Sequence, residues 1–311
     1  MSFVFGPVLS RRFGLSLGID LSPAKKQCNF DCLYCELEGA KPTDRFVAPA
    51  DPAAIARAVK HALQTTAPDV ITITANGEPT LYPHLDALID LLRPLKDSAK
   101  LMILSNGSTI GDPRVANALA KLDIVKLSLD CATDLAFKKL DRAVRGVEIA
   151  DVINAMIDFR RGFNAQLVIE ILLVKNINDN EAEFDALAAA LRRILPDRID
   201  IGTIERPSAY RVERAEIGAM ELLRQKLAPL NAQVIKPNTK TITTMKQRFD
   251  RTAILELLGR RKLALGEVDA LFDNDSLRIL GELERDGLVV ITENGAGQFW
   301  ALKSACSPFD F

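Results

Sequence analysis

Three of the five cysteines in this 311-residue chain fall within one stretch of eight residues. The stretch reads CNFDCLYC and places thiols at Cys28, Cys32 and Cys35. Four-iron clusters are ordinarily bound by four cysteine thiolates, so three thiolates leave one iron atom open to another ligand. The spacing therefore predicts a [4Fe-4S] cluster on these three cysteines, with one reactive iron position.

A structural zinc site is the alternative interpretation of clustered cysteines. Zinc takes four ligands, usually from two pairs of cysteines or histidines. Cys131 and Cys306 are isolated in the sequence, and the two histidines, His61 and His84, lie far from the triplet. The cluster is therefore the favoured interpretation, and Cys131 is expected to be a small buried residue.

Composition limits the classes of partner. Hydrophobic residues make up 48% of the chain, so a sizeable core is possible. The net charge of -1 does not indicate a nucleic-acid or membrane-surface partner. Neither a bilayer-spanning apolar run nor a signal-peptide pattern is present in the sequence. These features predict a cytoplasmic protein, and clustered cysteines in that compartment indicate metal binding rather than disulfides.

Short β-branched runs alternate with longer helical patterns. The predicted strands are 15–21, 70–75, 101–105, 124–130, 167–174 and 199–204, and the predicted helices are 52–64, 84–92, 113–122, 135–140, 147–161, 181–195 and 213–227. Apolar strands separated by helices predict a parallel sheet covered by helices, and about six such units fit an open or closed α/β barrel. The polar residues that follow the strands would then converge on one mouth.

The pattern changes near the C-terminus. Residues 237–247 are polar and threonine-rich and are predicted to be a linker. Three helical patterns at 251–259, 266–272 and 275–286 precede two short strand patterns at 287–292 and 298–302. Residues 248–311 are therefore predicted to form a winged-helix-like domain. Its third helix carries four acidic and two basic residues, which argues against DNA binding and favours contact with a protein or substrate.

The cysteine triplet resembles the signature of the radical S-adenosylmethionine (SAM) enzymes, C-x3-C-x-aromatic-C, with Tyr34 at the aromatic position. The resemblance extends along most of residues 3–235. The segments GPVLSRR, LGID, CNFDCLYCE, SLDCA and LVKNIND resemble more narrowly the iron–sulfur oxidoreductases related to the wybutosine-synthesis enzymes. This resemblance implies a partial (β/α)6 barrel over residues 1–236, a [4Fe-4S] cluster and SAM as cofactors, and Tyr34 near the adenine.

A second motif, NGEP at residues 76–79, stands where the family has a G-G-E-P turn. There the resemblance implies that backbone and carboxylate oxygens accept hydrogen bonds from the SAM ammonium. Asn tolerates the left-handed backbone better than most residues, so the replacement of the first glycine preserves the turn. The predicted SAM contacts are Asn76, Gly77, Glu78 and Pro79, and an ordinary turn between strand and helix is the alternative.

Polar strand ends supply further candidates. By the same resemblance, Asn106, Ser128 and Asp130 would contact the ribose or carboxylate of SAM, and Val174 would line the adenine pocket. Helix capping is the alternative for the polar residues, and burial in the barrel core is the alternative for Val174.

Arginines near the strand ends are candidates for binding an anionic substrate or the SAM carboxylate. Arg206 directly follows the last predicted strand, so we place it on the active face. Arg11, Arg12, Arg142 and Arg145 are expected to be solvated surface residues.

The resemblance also implies a reaction. One electron from the reduced cluster would cleave SAM into methionine and a 5′-deoxyadenosyl radical, which abstracts hydrogen from a substrate. A one-electron donor such as a flavodoxin or ferredoxin is then required. Asp31 and Glu36 lie beside the triplet in sequence, and their negative charge is expected to lower the cluster potential.

The sequence leaves the substrate open among an RNA base, a protein or peptide, and a small molecule. The archaeal wybutosine enzymes carry cysteines upstream of the triplet, whereas none precedes Cys28 here, and no basic stripe for RNA is visible. A redox-sensing regulator that acts through the C-terminal domain is the alternative from another class. The NGEP motif and the acidic third helix argue against it.

Overall fold

The computed structural model describes residues 2–10, 12–235, 246–294 and 297–303. The chain divides into two compact units, Met1–Ile204 with Ala209–Lys236, and Glu205–Ser208 with Pro237–Phe311. Arg11, Cys306 and residues 237–245 of the predicted linker lie outside the described residues, so the linker remains a prediction.

The first unit is built on an eight-stranded sheet whose strands follow one another in chain order. The strands are β1 (Val4–Ser10), β2 (Gly14–Asp20), β3 (Val70–Thr74), β4 (Lys100–Ser105), β5 (Ile124–Ser128), β6 (Gln166–Leu173), β7 (Arg198–Thr203) and β8 (Ala232–Val234). β1 pairs with β2 in antiparallel orientation, and every later neighbouring pair is parallel. The predicted α/β fold with a partial barrel is confirmed.

Helices connect the parallel strands. They are α1 (Pro52–Ala62), α2 (Leu85–Leu92), α3 (Pro113–Leu119), α4 (Asp134–Leu140), α5 (Ile149–Gly162), α6 (Glu181–Ile194) and α7 (Ile217–Lys226). Side-chain caps fix several of their starts: Asp51, Asp112, Thr133 and Asn180 each accept a hydrogen bond from a backbone N–H of the first turn. Proline at the start of α1 and α3 reinforces two of these boundaries.

Most predicted elements are found with ends displaced by a few residues. β1 and β8 were not predicted from the sequence. β1 contains Pro7 and an irregularity between Phe5 and Val8, and proline lacks the N–H that a strand interior uses. β8 has only three residues, too few for a recognisable pattern. No helix among the described residues combines the length and apolarity that crossing a membrane requires.

Both faces of the sheet carry apolar clusters, which explains the nearly continuous hydrophobic strands. One face packs against the helices and contributes to the large core, whose fully buried members include Ile71, Ile103 and Ile169. The other face carries a smaller apolar cluster of Val70, Met102, Ile124 and Val168, against which Phe13 packs.

A network of charged side chains joins strands β5 to β7, in which Lys126 and Asp200 are buried and Glu170 is half-buried. Lys126 Nζ lies 2.6 Å from Glu170 Oε1 and 3.8 Å from Asp200 Oδ2. Arg12 NH1 contacts the same two carboxylates at 2.6 and 3.1 Å. The prediction that Arg12 is a solvated surface residue is therefore wrong. Its sequence position showed that it precedes a strand, but not that its guanidinium meets carboxylates 158 and 188 residues away.

The network shifts the pKa of its members. Burial alone would raise the pKa of Glu170, but the positive charges of Lys126 and Arg12 outweigh it and lower that pKa to about 2. Burial lowers the pKa of Lys126, against the opposing effect of Glu170. The carboxylate therefore compensates a lysine whose side chain is only 4% exposed.

The second unit contains α8 (Arg251–Arg260), β9 (Leu263–Ala264), α9 (Leu265–Leu271), α10 (Asn274–Arg285), β10 (Val289–Asn294) and β11 (Gly297–Leu302). Its antiparallel sheet has the order β10-β11-β9. Three helices and a β-hairpin were predicted from the sequence and are present in this unit. Its assignment as a winged-helix-like domain remains a prediction.

We predict that Glu170→Gln lowers the free energy of unfolding by about 1–2 kcal/mol at pH 7. Lys126 then keeps only the more distant carboxylate of Asp200, at 3.8 Å, while the 34% exposure of Glu170 lets solvent weaken the pair that is lost. The folded pKa of Glu170 lies below its ordinary value of 4.5, so the carboxylate contributes fully above that pH. The difference from wild type should shrink as the pH falls from 4.5 toward 2. Urea unfolding at several pH values measures both effects.

Asp158→Asn is the control, since Asp158 and Arg161 form an ion pair with side chains 70% and 75% exposed. An exposed pair of this kind contributes roughly 0.2–1 kcal/mol. Equal losses in the two variants would contradict the assigned role of the charged network.

Candidate active site

The cysteine loop begins after β2 and is joined by backbone pairing to the turn after β3. Gln27 N donates to Asn76 O at 2.8 Å, and Glu78 N donates to Gln27 O at 2.9 Å. Gln27 and Gly77 thereby form an isolated parallel bridge. The two motifs singled out from the sequence are thus directly adjacent, one residue before Cys28.

This pairing demands glycine at position 77. Gly77 has φ +132, and a Cβ there would lie 1.9 Å from Gln27 O and 2.4 Å from its carbonyl carbon. No side chain fits at such distances, and that backbone conformation is itself costly for any other residue. The backbone requirement of the turn therefore falls on the glycine that the sequence retains, and not on Asn76.

Asp20 adds a side-chain link between the same segments. It is buried at the end of β2, where its Oδ1 accepts hydrogen bonds from Ser22 N at 3.0 Å and Asn76 N at 2.8 Å. Sequence reasoning did not single out Asp20. Its position directly after an apolar strand, before a loop that must be fixed, was the available signal.

Glu78 is only 2% exposed and is held by four hydrogen bonds. Its Oε1 accepts from Thr80 N, Thr80 Oγ1 and Ser105 Oγ at 3.0, 2.6 and 2.7 Å, and its Oε2 accepts from Asn106 N at 2.7 Å. Burial raises the pKa of Glu78, and the hydrogen bonds oppose that rise. The carboxylate thus ties the turn to the end of β4, and Pro79 begins a short 3-10 helix capped by Glu78.

The three thiols of the loop are free and half-buried. Phe30 N donates to Cys28 Sγ at 3.4 Å, Lys26 Nζ donates to Cys35 Sγ at 3.5 Å, and Cys32 Sγ donates to Asp141 Oδ1 at 3.4 Å. Burial raises the pKa of Cys28 to about 12 and that of Cys32 well above its usual value. Deprotonation of these thiols therefore needs a compensating cation, as iron supplies to its ligands.

Among the described residues, no three His, Cys, Asp or Glu side chains gather closely enough to hold a single metal ion. Three cysteines on one loop can each bind a different iron atom of a cluster, and the loop offers no fourth cysteine that would complete a zinc site. Sulfur ligands and N–H donors directed at two of the sulfurs also fit an iron–sulfur cluster.

A cavity lies beside the loop. It is lined by four of the predicted SAM contacts, Tyr34, Asn106, Ser128 and Asp130, and by apolar residues that include Phe30 and Phe137. The structure thus brings together side chains from the cysteine loop and from the ends of β4 and β5. Its lining, as far as the chain is described, includes neither the 76–79 turn nor Val174, which is fully buried in the main core.

Tyr34 connects the cysteine loop to this cavity. Its hydroxyl donates a short hydrogen bond to Asp130 Oδ2, while Asp130 Oδ1 accepts from Leu172 N at 2.6 Å. Burial raises the pKa of Asp130 to about 7, against these hydrogen bonds. The aromatic position of the cysteine motif is thereby fixed by a carboxylate two residues beyond β5.

Asn106 is held from three sides. Its backbone N donates to Glu78, its Nδ2 donates to Asn29 Oδ1 at 2.9 Å, and its Oδ1 accepts from Ser108 N at 3.0 Å. These bonds fix the end of β4 against the cysteine loop, so the orientation of Asn106 is set by its neighbours.

A second group of residues, whose mutual contacts were not predicted from the sequence, holds the middle of the loop. Arg142 Nε donates to Asp31 O at 2.7 Å, and its NH2 contacts Asp31 Oδ2 closely. Tyr210 Oη donates to Asp31 Oδ2 at 2.8 Å, and the Arg142 guanidinium lies 4.1 Å from the centre of the Tyr210 ring. The prediction that Arg142 is a solvated surface residue is therefore wrong.

The remaining arginines behave differently. Arg145 is exposed, as expected. Arg206 NH2 lies 2.9 Å from Glu267 Oε1, an ion pair inside the second unit. The placement of Arg206 on the active face stays a prediction.

Comparison with known proteins agrees with the fold and the motif. The family model described as Radical SAM superfamily matches residues 25–188. A UPF0026 protein of Helicobacter pylori is 40% identical over 301 residues, covering 96% of each chain. A radical SAM methyltransferase from Sphaerobacter thermophilus shares the fold with a TM-score of 0.55 at 16% identity, over 71% of this chain and 66% of that one.

Streptococcus suis SuiB bound to S-adenosylmethionine superposes with a TM-score of 0.51 at 20% identity, over 72% of this chain and 48% of that one. At these identities the solved structures establish the fold alone. The chain belongs to the radical SAM superfamily, whose members are enzymes that use a [4Fe-4S] cluster and SAM.

We predict that Gly77→Ala destabilises the fold by more than about 2 kcal/mol and lowers the iron content after anaerobic reconstitution, because the added Cβ forces Gln27 away. Thermal unfolding and iron and sulfide assays measure the two effects.

Gly218→Ala is the matched control. Gly218 lies in α7 with open space around its Cβ position, so alanine there should stabilise by up to about 1 kcal/mol. A Gly77→Ala protein with wild-type stability and iron content would contradict the assigned constraint.

Proposed function

We propose that this enzyme binds a [4Fe-4S] cluster through Cys28, Cys32 and Cys35, and SAM in the adjoining cavity, and that it abstracts hydrogen from a substrate. The observation that best supports this proposal is the hydrogen bond from Tyr34 to Asp130. Tyr34 lies between two of the thiols in sequence and also lines the cavity, so the bond makes loop and cavity one site.

When bound, the cluster and SAM supply reductive cleavage of a carbon–sulfur bond, which gives methionine and a 5′-deoxyadenosyl radical. The residues of the chain bind, orient and enclose these groups. Asn106, Ser128 and Asp130 offer polar contacts at the strand ends, while Phe30 and Phe137 supply apolar walls that exclude water.

The turn at residues 76–79 would support the methionine portion of SAM. Three donors already occupy Oε1 of Glu78, and within the described part of the chain Asn106 N alone donates to Oε2. An ammonium contact, if it involves this side chain, would therefore be made through Oε2. Asn76, Gly77 and Pro79 would contribute through the backbone, and Val174 would act from the core behind the site.

An external one-electron donor is required, since radical SAM enzymes in general need one. A flavodoxin or ferredoxin is our proposal for that donor.

The substrate stays open among an RNA base, a protein or peptide, and a small molecule. In the second unit, Arg278 lies 2.5 Å from Glu282, Arg251 lies 2.7 Å from Asp286, and Arg248 lies 3.3 Å from Asp275. Arginines around α10 are thus matched by carboxylates, which supports a docking role other than DNA binding. Transfer of deuterium from labelled candidates into 5′-deoxyadenosine would identify the substrate.

We predict that alanine at Cys28, Cys32 or Cys35 reduces 5′-deoxyadenosine formation to background when the anaerobic protein is incubated with dithionite and SAM. Each substitution removes one of three cluster ligands. Cys306→Ala is the control, since Cys306 does not belong to the triplet. Chromatographic measurement of 5′-deoxyadenosine, with iron and sulfide contents, checks this.

The proposal would be overturned by wild-type protein that binds zinc in place of iron and sulfide. It would also be overturned if a triplet variant without iron formed 5′-deoxyadenosine as fast as wild type.

A further inference from the structure

Lys26 places a buried ammonium group against the cysteine loop. Its Nζ lies 3.5 Å from Cys35 Sγ and 3.0 Å from Glu38 O, and its side chain is only 9% exposed. Burying an ammonium group is costly unless its donors find acceptors. The Lys26 ammonium has two such acceptors in the loop, and one of them is a sulfur of the triplet.

The nearby carboxylate of Asp31 offsets this charge only in part, because it is shared with a second cation. Asp31 Oδ1 lies 3.9 Å from Lys26 Nζ, which is longer than a hydrogen bond. Its Oδ2 makes the close contact with Arg142 and also accepts from Tyr210 Oη at 2.8 Å. The charge of Asp31 is thus matched mainly by Arg142, and that of Lys26 remains directed at the sulfur.

We propose that Lys26 is a positioning residue that raises the reduction potential of the cluster by donating a charged hydrogen bond to the Cys35 sulfur. This inference rests on the proposed function, because it requires a cluster on the three cysteines. It reverses the expectation drawn from Asp31 and Glu36, in which nearby carboxylates lower the potential.

The direction follows from charge. One-electron reduction adds one negative charge to the cluster, the electron comes from the external donor, and no bond or proton is exchanged. A cation beside a cluster sulfur stabilises the more negative state. With 9% exposure, Lys26 is screened little by solvent, whereas the exposed side chain of Glu36 is screened more strongly.

The same ammonium restrains the chain after Cys35. Its bond to Glu38 O links the residues on either side of the triplet, so Lys26 positions the Cys35 thiol as well as charging its surroundings. A purely structural role would change cluster occupancy without shifting the potential of the clusters that form.

The test is a redox titration of the anaerobically reconstituted protein, without SAM, followed by electron paramagnetic resonance of the reduced cluster. Lys26→Met should titrate at a lower midpoint potential than wild type. Lys26→Arg, which keeps the charge, should titrate closer to wild type. The exposed neighbour Lys25 provides the control, and Lys25→Met should leave the midpoint unchanged.

Lys26→Gln separates charge from anchoring, since its amide can still donate to Glu38 O. A lowered midpoint in Lys26→Gln with full iron and sulfide supports the proposal. A midpoint equal to that of Lys25→Met, with the cluster intact, overturns the assignment of Lys26 but leaves the proposed function standing. If wild-type protein assembles no cluster, both fail.

Discussion

The site depends on one backbone pairing, between Gln27 and Gly77. Through it the loop that carries three thiols is joined to the turn after the neighbouring strand. Hydrogen bonds between parallel segments need close approach of two backbones, and a Cβ at position 77 would lie 1.9 Å from the opposing carbonyl oxygen. The loop has no regular structure of its own, so it takes its position from the sheet through this contact.

Buried carboxylates also connect the ends of neighbouring strands of the sheet by hydrogen bonds. Asp20 bonds the turn after β3, Glu78 bonds the end of β4, and Asp130 bonds both Tyr34 and β6. Each accepts at least two hydrogen bonds, which is how a desolvated carboxylate is tolerated in a protein interior. Strand ends that would otherwise move independently are therefore fixed relative to one another before any cofactor binds.

Whether a feature could be predicted from the sequence depends on how far apart in the chain its interacting residues lie. Local and periodic signals were sufficient for the parallel strands, the connecting helices and the cysteine motif, because each is encoded within about twenty neighbouring residues. The sequence also predicted that the polar residues at the strand ends converge, since parallel strands end at the same edge of a sheet. The structure brings together Tyr34, Asn106, Ser128 and Asp130 around one cavity. Strand β1 could not be predicted because Pro7 is atypical of a strand interior. The environments of Arg12 and Arg142 were predicted wrongly because their carboxylate partners are distant in sequence.

Charge around the triplet shows why adjacency in sequence is a poor guide to electrostatics. Asp31 and Glu36 flank the cysteines, and from the sequence alone they make the loop acidic. In the structure Arg142 is brought from more than one hundred residues away to Asp31, while Glu36 faces solvent. The ammonium of Lys26, which sequence analysis passed over, lies 3.5 Å from a thiol. Coulomb interactions weaken with distance and with solvent exposure, so the buried neighbour outweighs the exposed one. The potential of a cluster bound here would accordingly be governed by tertiary contacts that the fold assembles.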